Sequence, residues 1–162
     1  MTIIPDDYPA QPPVSIDAGG MLWVSGVIHD WSLLNAHGIT VVIDLEADVD
    51  HGVPSRADHI LYIYLPIHDG ELPNLDRLHA VATLASSLIT AGHRVLAHCG
   101  MGLNRSALAA GLVLVRMGMQ PATAVDLIRE RRPGALYNEH FVRHLLEQVA
   151  GSPTETCRRD AG

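Results

Sequence analysis

The 162-residue chain contains no lysine; all eleven of its basic side chains are arginines. That absence excludes lysine Schiff-base chemistry and any nucleotide site built around a phosphate-binding lysine. Cysteine is nearly as scarce. Cys99 and Cys157 are the only two, too few for a disulfide framework, and they stand in unlike surroundings, a glycine loop and a polar C-terminal stretch. Positive charge is outnumbered as well. The formal net charge is −7, so a broad electrostatic surface for nucleic acid is not expected. No apolar run is long and uncharged enough to span a bilayer. The N-terminus, "MTIIPDDYPAQPPV", lacks the basic start and apolar core of a secretory signal. A cytoplasmic, reduced protein that contacts neither nucleic acid nor membrane is the expectation. Aromatics make up only 4% of the residues, yet hydrophobic residues reach 48% against 18% charged, enough to fill the core of one globular domain.

Residues 1–13 read as an extended arm; Pro9 and Pro12 have the PxxP spacing that proline-reading domains dock, but a plain extended terminus is the expectation. A single domain is expected over 14–150, followed by a flexible tail over 151–162. "VSIDAGGMLWVSG" predicts two short strands around Ala18-Gly19-Gly20. A short helix through Trp31 and Leu34 should stop near Gly38. "ITVVIDL" is a β-branched run, as expected of a strand covered on both faces. After a loop over 46–58 comes the strand "ILYIYLPI", then a helix capped by Asn74 with apolar residues at Leu75, Leu78, Val81, Ala82, Ala85, Leu88 and Ile89. The strand "RVLAH" leads through a glycine loop to a helix over 106–117. Two more helices follow, "PATAVDLIRERR" and "EHFVRHLLEQVA". Strands alternating with helices imply an α/β fold with a central, mostly parallel sheet flanked by helices.

The chemistry concentrates in "HCGMGLNRS", residues 98–106. Between a strand and a helix N-terminus, Gly100 and Gly102 let successive backbone N–H groups turn inward, with the positive end of the helix dipole behind them. Gly100, Met101, Gly102, Leu103 and Asn104 would thus cradle an anion of phosphate size, and Arg105 adds a planar fork for two of its oxygens. The same groups favour the thiolate of Cys99, placing a nucleophile beneath the bound phosphorus. Ser106 can hydrogen-bond the sulfur and help it leave. His98 stands either as a packed structural side chain or as a group that fixes the Cys99 backbone and its charge state.

This run resembles the HCxxGxxRS signature of cysteine-dependent protein tyrosine phosphatases, and its fillers resemble those of the dual-specificity branch. The resemblance implies that Cys99 is the nucleophile, that the loop amides and Arg105 bind phosphate, and that Ser106 assists thiolate departure. "LWVSG", "HGITVVIDL" and "RERRPGALYNEHFVRHL" extend the likeness over roughly 14–149, leaving out the tails and the 46–58 loop. Rhodaneses use a shorter loop, and low-molecular-weight phosphatases and arsenate reductases place theirs near the N-terminus. A phosphatase of this kind also needs a proton donor. Asp69 lies thirty residues before Cys99, at a strand end, as in the family; Glu71 and Asp76 are its rivals.

The implied activity is metal-free hydrolysis of phosphomonoesters, with no cofactor. A phosphorylated protein carrying phosphotyrosine or phosphoserine/threonine is the favoured partner, because the filler Gly-Met-Gly-Leu-Asn is neutral. Phosphoinositide, RNA 5′-phosphate or phosphosugar substrates, and a non-catalytic phosphate-recognition module, are the alternatives. No metal-ligand set emerges: His140 and His144 share a helix face without a carboxylate or Cys to complete them. Arg129, Arg131 and Arg132 read as a solvated helix end, one of which could line the pocket rim.

Overall fold

The computed structural model describes residues 11–151. Five strands form one sheet in the order β1-β2-β5-β3-β4. They are β1 (Val14–Ser15), β2 (Leu22–Ser25), β3 (Ile39–Asp44), β4 (Leu61–Tyr64) and β5 (Arg94–His98). Only β1 is antiparallel to its neighbour; β2, β5, β3 and β4 run parallel. The helices are α1 (Ser32–Ala36), α2 (Leu75–Thr90), α3 (Arg105–Arg116), α4 (Pro121–Arg131) and α5 (Glu139–Leu146). The expected elements are all present. The strand at 60–67 is shorter than its apolar run, because only Leu61–Tyr64 finds ladder partners on β3. The last helix closes at Leu146, before the polar Glu147-Gln148. Residues 1–10 of the expected 1–13 arm and residues 152–162 of the expected 151–162 tail lie outside the described residues.

Local chemistry explains the elements. The β-branched β3 is buried along nearly its whole length, between β5 and β4, which suits side chains stiff at χ1. Asn74 caps α2 by accepting from Arg77 N–H at 3.0 Å. Its Leu78, Ala82, Ala85 and Ile89 fall on one buried stripe. Helix α3 is different. Every residue from Arg105 to Val115 is buried, and between the polar Arg105-Ser106 and Arg116 its sequence is apolar throughout. The core splits across the sheet. The larger part lies under α2–α5 and the smaller joins Ile28, Leu34, Ile39, Val42 and Leu96 beneath α1. Because the parallel strands share a direction, the carboxyl ends of β2, β3, β4 and β5 open at one edge of the sheet. In open α/β sheets ligands bind outside those ends. No helix among the described residues is long and apolar enough to cross a membrane.

Candidate active site

The loop from Cys99 to Asn104 joins β5 to α3, and its carbonyls point away from its centre. Gly100 O accepts from Val27 N–H at 3.2 Å, Gly102 O from Arg132 Nε at 3.0 Å, Met101 O from the same guanidinium at 3.3 Å, and Leu103 O from Leu136 N–H at 2.8 Å. In a trans peptide the N–H opposes the C=O. Four consecutive carbonyls pinned outward therefore leave the N–H groups of residues 101–104 facing in. The Gly102 N–H does so visibly, donating to Cys99 Sγ at 3.2 Å. Gly102 adopts φ +69°, and a Cβ there would lie 2.4 Å from the Ser25 carbonyl carbon, so both the turn and the close approach require glycine.

Cys99 is buried, and its sulfur lies 3.4 Å from Ser106 Oγ, in the first turn of α3. Arg105 is buried beside it. One edge of its guanidinium is held by the Glu46 carboxylate, at 2.9 Å and 3.2 Å, and by the carbonyls of Leu45 and Ile67, each at 3.3 Å. The Nε–H is buried and meets no acceptor among the described residues. A buried donor without a partner costs about 1–3 kcal/mol, so this N–H is poised for an anion. Burial would lower the Arg105 pKa, but the charges of Cys99 and Glu46 outweigh it and raise it. Burial likewise works to raise the Glu46 carboxyl, and bonds from Ala47 N–H, Arg105 and Gly100 N–H pull it below its ordinary value.

Asp69 sits on the exposed turn after β4. The Asn104 amide donates to both of its oxygens, at 3.1 Å and 3.3 Å. Asp76 lies inside the first turn of α2, and Glu71 is exposed one residue beyond Gly70. Tyr137 is 59% exposed. Partial burial, followed by the charges of Asp69 and Cys99, raises the pKa of its hydroxyl.

His98 and Cys99 leave β5 on opposite faces of the sheet. The ring of His98 is fully buried, with Nε2 2.7 Å from Asp50 Oδ2 and 3.4 Å from Asp44 Oδ1. The Tyr62 hydroxyl donates to the other oxygen of Asp44 and accepts from Asp50 N–H at 2.9 Å. Burial, first of all, raises the Asp44 carboxyl pKa, against the pull of Tyr62 and His98. The ligand-type atoms of Asp44, Asp50 and His98 gather within 4.8 Å of one another, a grouping the sequence did not suggest. Their ring nitrogen and carboxylates already pair with each other, and Tyr62 takes the next side. We read a buried polar cluster that braces the root of the loop.

The structure brings Cys99, Arg105, Ser106 and Asp69 to one edge of the sheet, and it corrects two expectations. Arg132 is not part of a solvated helix end: it is buried, and holds the loop from outside while donating to Pro12 O at 2.9 Å. Arg129 and Arg131 also have partners, donating to Leu136 O and Ser15 O, each at 2.9 Å. The Asn104 side chain, on which the sequence carried no expectation, donates to Asp69. His144 is buried against His79 on α2, the two Nε2 atoms 3.0 Å apart, whereas His140 is exposed. Glu46, at the start of the 46–58 loop that the likeness left out, holds the Arg105 guanidinium. Its position directly after a parallel strand was the available signal.

The described geometry agrees with comparisons to known proteins. The family model for the dual specificity phosphatase catalytic domain matches residues 25–149. Dual specificity protein phosphatase 1-B of Xenopus laevis is 26% identical over 132 residues, 80% of this chain and 35% of that protein. The chain thus spans about a third of that relative's length. The crystal structure of human DUSP28 superposes with a TM-score of 0.71 at 21% identity, covering 83% of this chain and 90% of that one. PTPMT1 in complex with PI(5)P superposes with a TM-score of 0.70 at 17% identity, covering 83% and 92%. With the family model spanning most of the chain and its signature loop folded around Cys99 and Arg105, the chain belongs to the dual specificity phosphatase catalytic domain family.

Proposed function

We propose that this chain hydrolyses phosphomonoesters through a phosphocysteine, with residues 14–150 as the catalytic unit. The observation that carries the proposal is the buried Arg105 Nε–H, which has no acceptor among the described residues, beside Cys99 in a loop whose carbonyls from Gly100 to Leu103 are turned out. In the first step the Cys99 thiolate attacks phosphorus in line while the inward N–H groups and Arg105 stabilise the equatorial oxygens. The phosphorus–oxygen ester bond breaks, and the leaving oxygen takes a proton from the Asp69 carboxyl. In the second step Asp69, now a carboxylate, accepts a proton from water as the water attacks phosphorus. The sulfur–phosphorus bond breaks, inorganic phosphate leaves, and the Ser106 hydroxyl donates a hydrogen bond to the returning thiolate.

The substrate class we favour is phosphoprotein, with both phosphotyrosine and phosphoserine/threonine accepted. The neutral filler between Cys99 and Arg105 supports it, since it offers no extra cation for a polyanionic headgroup. The purified chain should hydrolyse an aryl phosphate in EDTA, vanadate should inhibit it, and Cys99→Ser should abolish the activity. Binding of phosphopeptide without turnover by the wild type would leave a recognition module instead. Faster turnover of a phosphoinositide than of any phosphopeptide would move the substrate to lipid.

A further inference from the structure

Asn104 occupies the last filler position of the phosphate loop, where the chemistry asks only for a backbone N–H. Its side chain is nevertheless 1% exposed and fully committed. The amide nitrogen donates to both oxygens of Asp69, and the amide oxygen accepts from Asn138 N–H at 3.1 Å. Asn138 then reaches the same acid-bearing turn a second time, its Nδ2 donating to Gly70 O at 3.0 Å. The segment that presents Asn138 is itself fixed to the loop. Leu136 is held at φ +57°, a conformation rare for leucine, while its N–H donates to Leu103 O at 2.8 Å. Three segments distant in sequence are therefore tied at one point: the phosphate loop, the turn carrying Asp69 and the start of α5.

Asp69 and Gly70 are exposed. We infer that Asn104 is a positioning residue for Asp69, with Asn138 as its anchor. The pair holds the proton donor over the phosphate loop before substrate arrives, so that phosphate binding and acid placement are coupled through one side chain. This rests on the proposed function, because it assigns Asn104 a role through Asp69. The device matters in proportion to the basicity of the leaving oxygen, so it marks the site for esters of poor leaving groups such as alkyl phosphates and unactivated phenyl phosphates.

The test compares two substrates, p-nitrophenyl phosphate and a phosphoserine peptide, in wild type, Asn104→Ala, Asp69→Asn and the double variant. Removing a general acid costs about 10²–10⁴-fold where the leaving group needs a proton. Asn104→Ala should lose roughly a tenth to a half of that effect on a logarithmic scale with the peptide, and far less with p-nitrophenyl phosphate. KM should hold steady and the acidic-to-basic pH profile of kcat should flatten. In the Asp69→Asn background the Asn104 change should add nothing. Asn104→Ser should restore part of the loss, and Asn138→Ala should imitate Asn104→Ala more weakly. Equal losses on both substrates, or additivity with Asp69→Asn, would overturn the inference. A wild type without turnover, or an Asp69→Asn variant insensitive to leaving group, would instead overturn the proposed function.

Discussion

The phosphate loop and the acid-bearing turn are two halves of one site built on opposite physical terms. Cys99, Asn104, Arg105 and Ser106 are all buried. Every carbonyl from Gly100 to Leu103 has a donor, and the loop is anchored by Val27, Arg132 and Leu136. His68, Asp69, Gly70 and Glu71 are all exposed. Their hold on the site is a few side-chain bonds from Asn104 and Asn138. Under the proposed function, anion binding would be preorganised by a buried scaffold, and proton donation would be added by a light polar clasp. Changes in the first half should cost fold and binding together; changes in the second should cost rate alone.

The largest effect should come from Gly102→Ala. A side chain there collides with the Ser25 carbonyl at a positive φ, and strain of this kind costs about 1–3 kcal/mol before the clash is counted. Urea denaturation should show a lowered midpoint, and vanadate affinity should fall. Unchanged values for both would break the claim that the loop is rigid. Next, Asp69→Asn should reduce turnover of a phosphoserine peptide by about 10²–10⁴-fold, leaving the urea midpoint and vanadate affinity near wild type. A large loss of stability would erase the contrast between the halves.

Glu46→Gln tests the border between them. It keeps one acceptor for Arg105 but removes the charge. A hydrogen bond to a charged group contributes about 1.5–3 kcal/mol, and Glu46 is partly solvated, so roughly a tenfold fall in kcat/KM is expected, carried by KM. A fall in kcat alone would place Glu46 in the proton-transfer half.

The smallest effect lies away from the site. His79 and His144 face each other, with Arg116 3.3 Å from the far nitrogen of His79. Asp76 acts on His79, and Glu147 on His144. Burial, first of all, lowers both pKa values. The fold therefore favours the neutral rings. Their contribution is complete above about pH 6.5, the unfolded imidazole value, and is lost as pH falls through the lower folded values. Urea midpoints at pH 7.5 and 5.5 should differ modestly in that direction, and less so in His79→Gln. A midpoint that rises on acidification would reverse the sign.

The contrast between the halves also sets what could be read in advance. Cys99, Arg105 and Ser106 belong to one short covalent loop, so order and spacing specify their geometry, and they stand where the sequence puts them. The strand and helix periods were equally legible, since burial acts on side chains a fixed interval apart. Glu46, Arg132 and Asn138 reach the site from remote segments by tertiary packing, and no local pattern encodes those meetings. Asn138 caps α5 by accepting from His140 and Phe141 N–H, and its second contact, with the acid-bearing turn, has no local signature. Arg132 illustrates the same limit. A terminal arginine on a helix favours the dipole in any fold, and only the loop lying above it turns that charge inward.

The central claim is a phosphorus–sulfur bond at Cys99. Acid quench of the chain during turnover of p-nitrophenyl phosphate, followed by mass spectrometry of its peptides, tests it directly. The account predicts a phosphoryl adduct on the peptide carrying Cys99, more abundant in Ser106→Ala because departure of the sulfur slows. Steady turnover with no adduct in either protein, or an adduct on another residue, would contradict it.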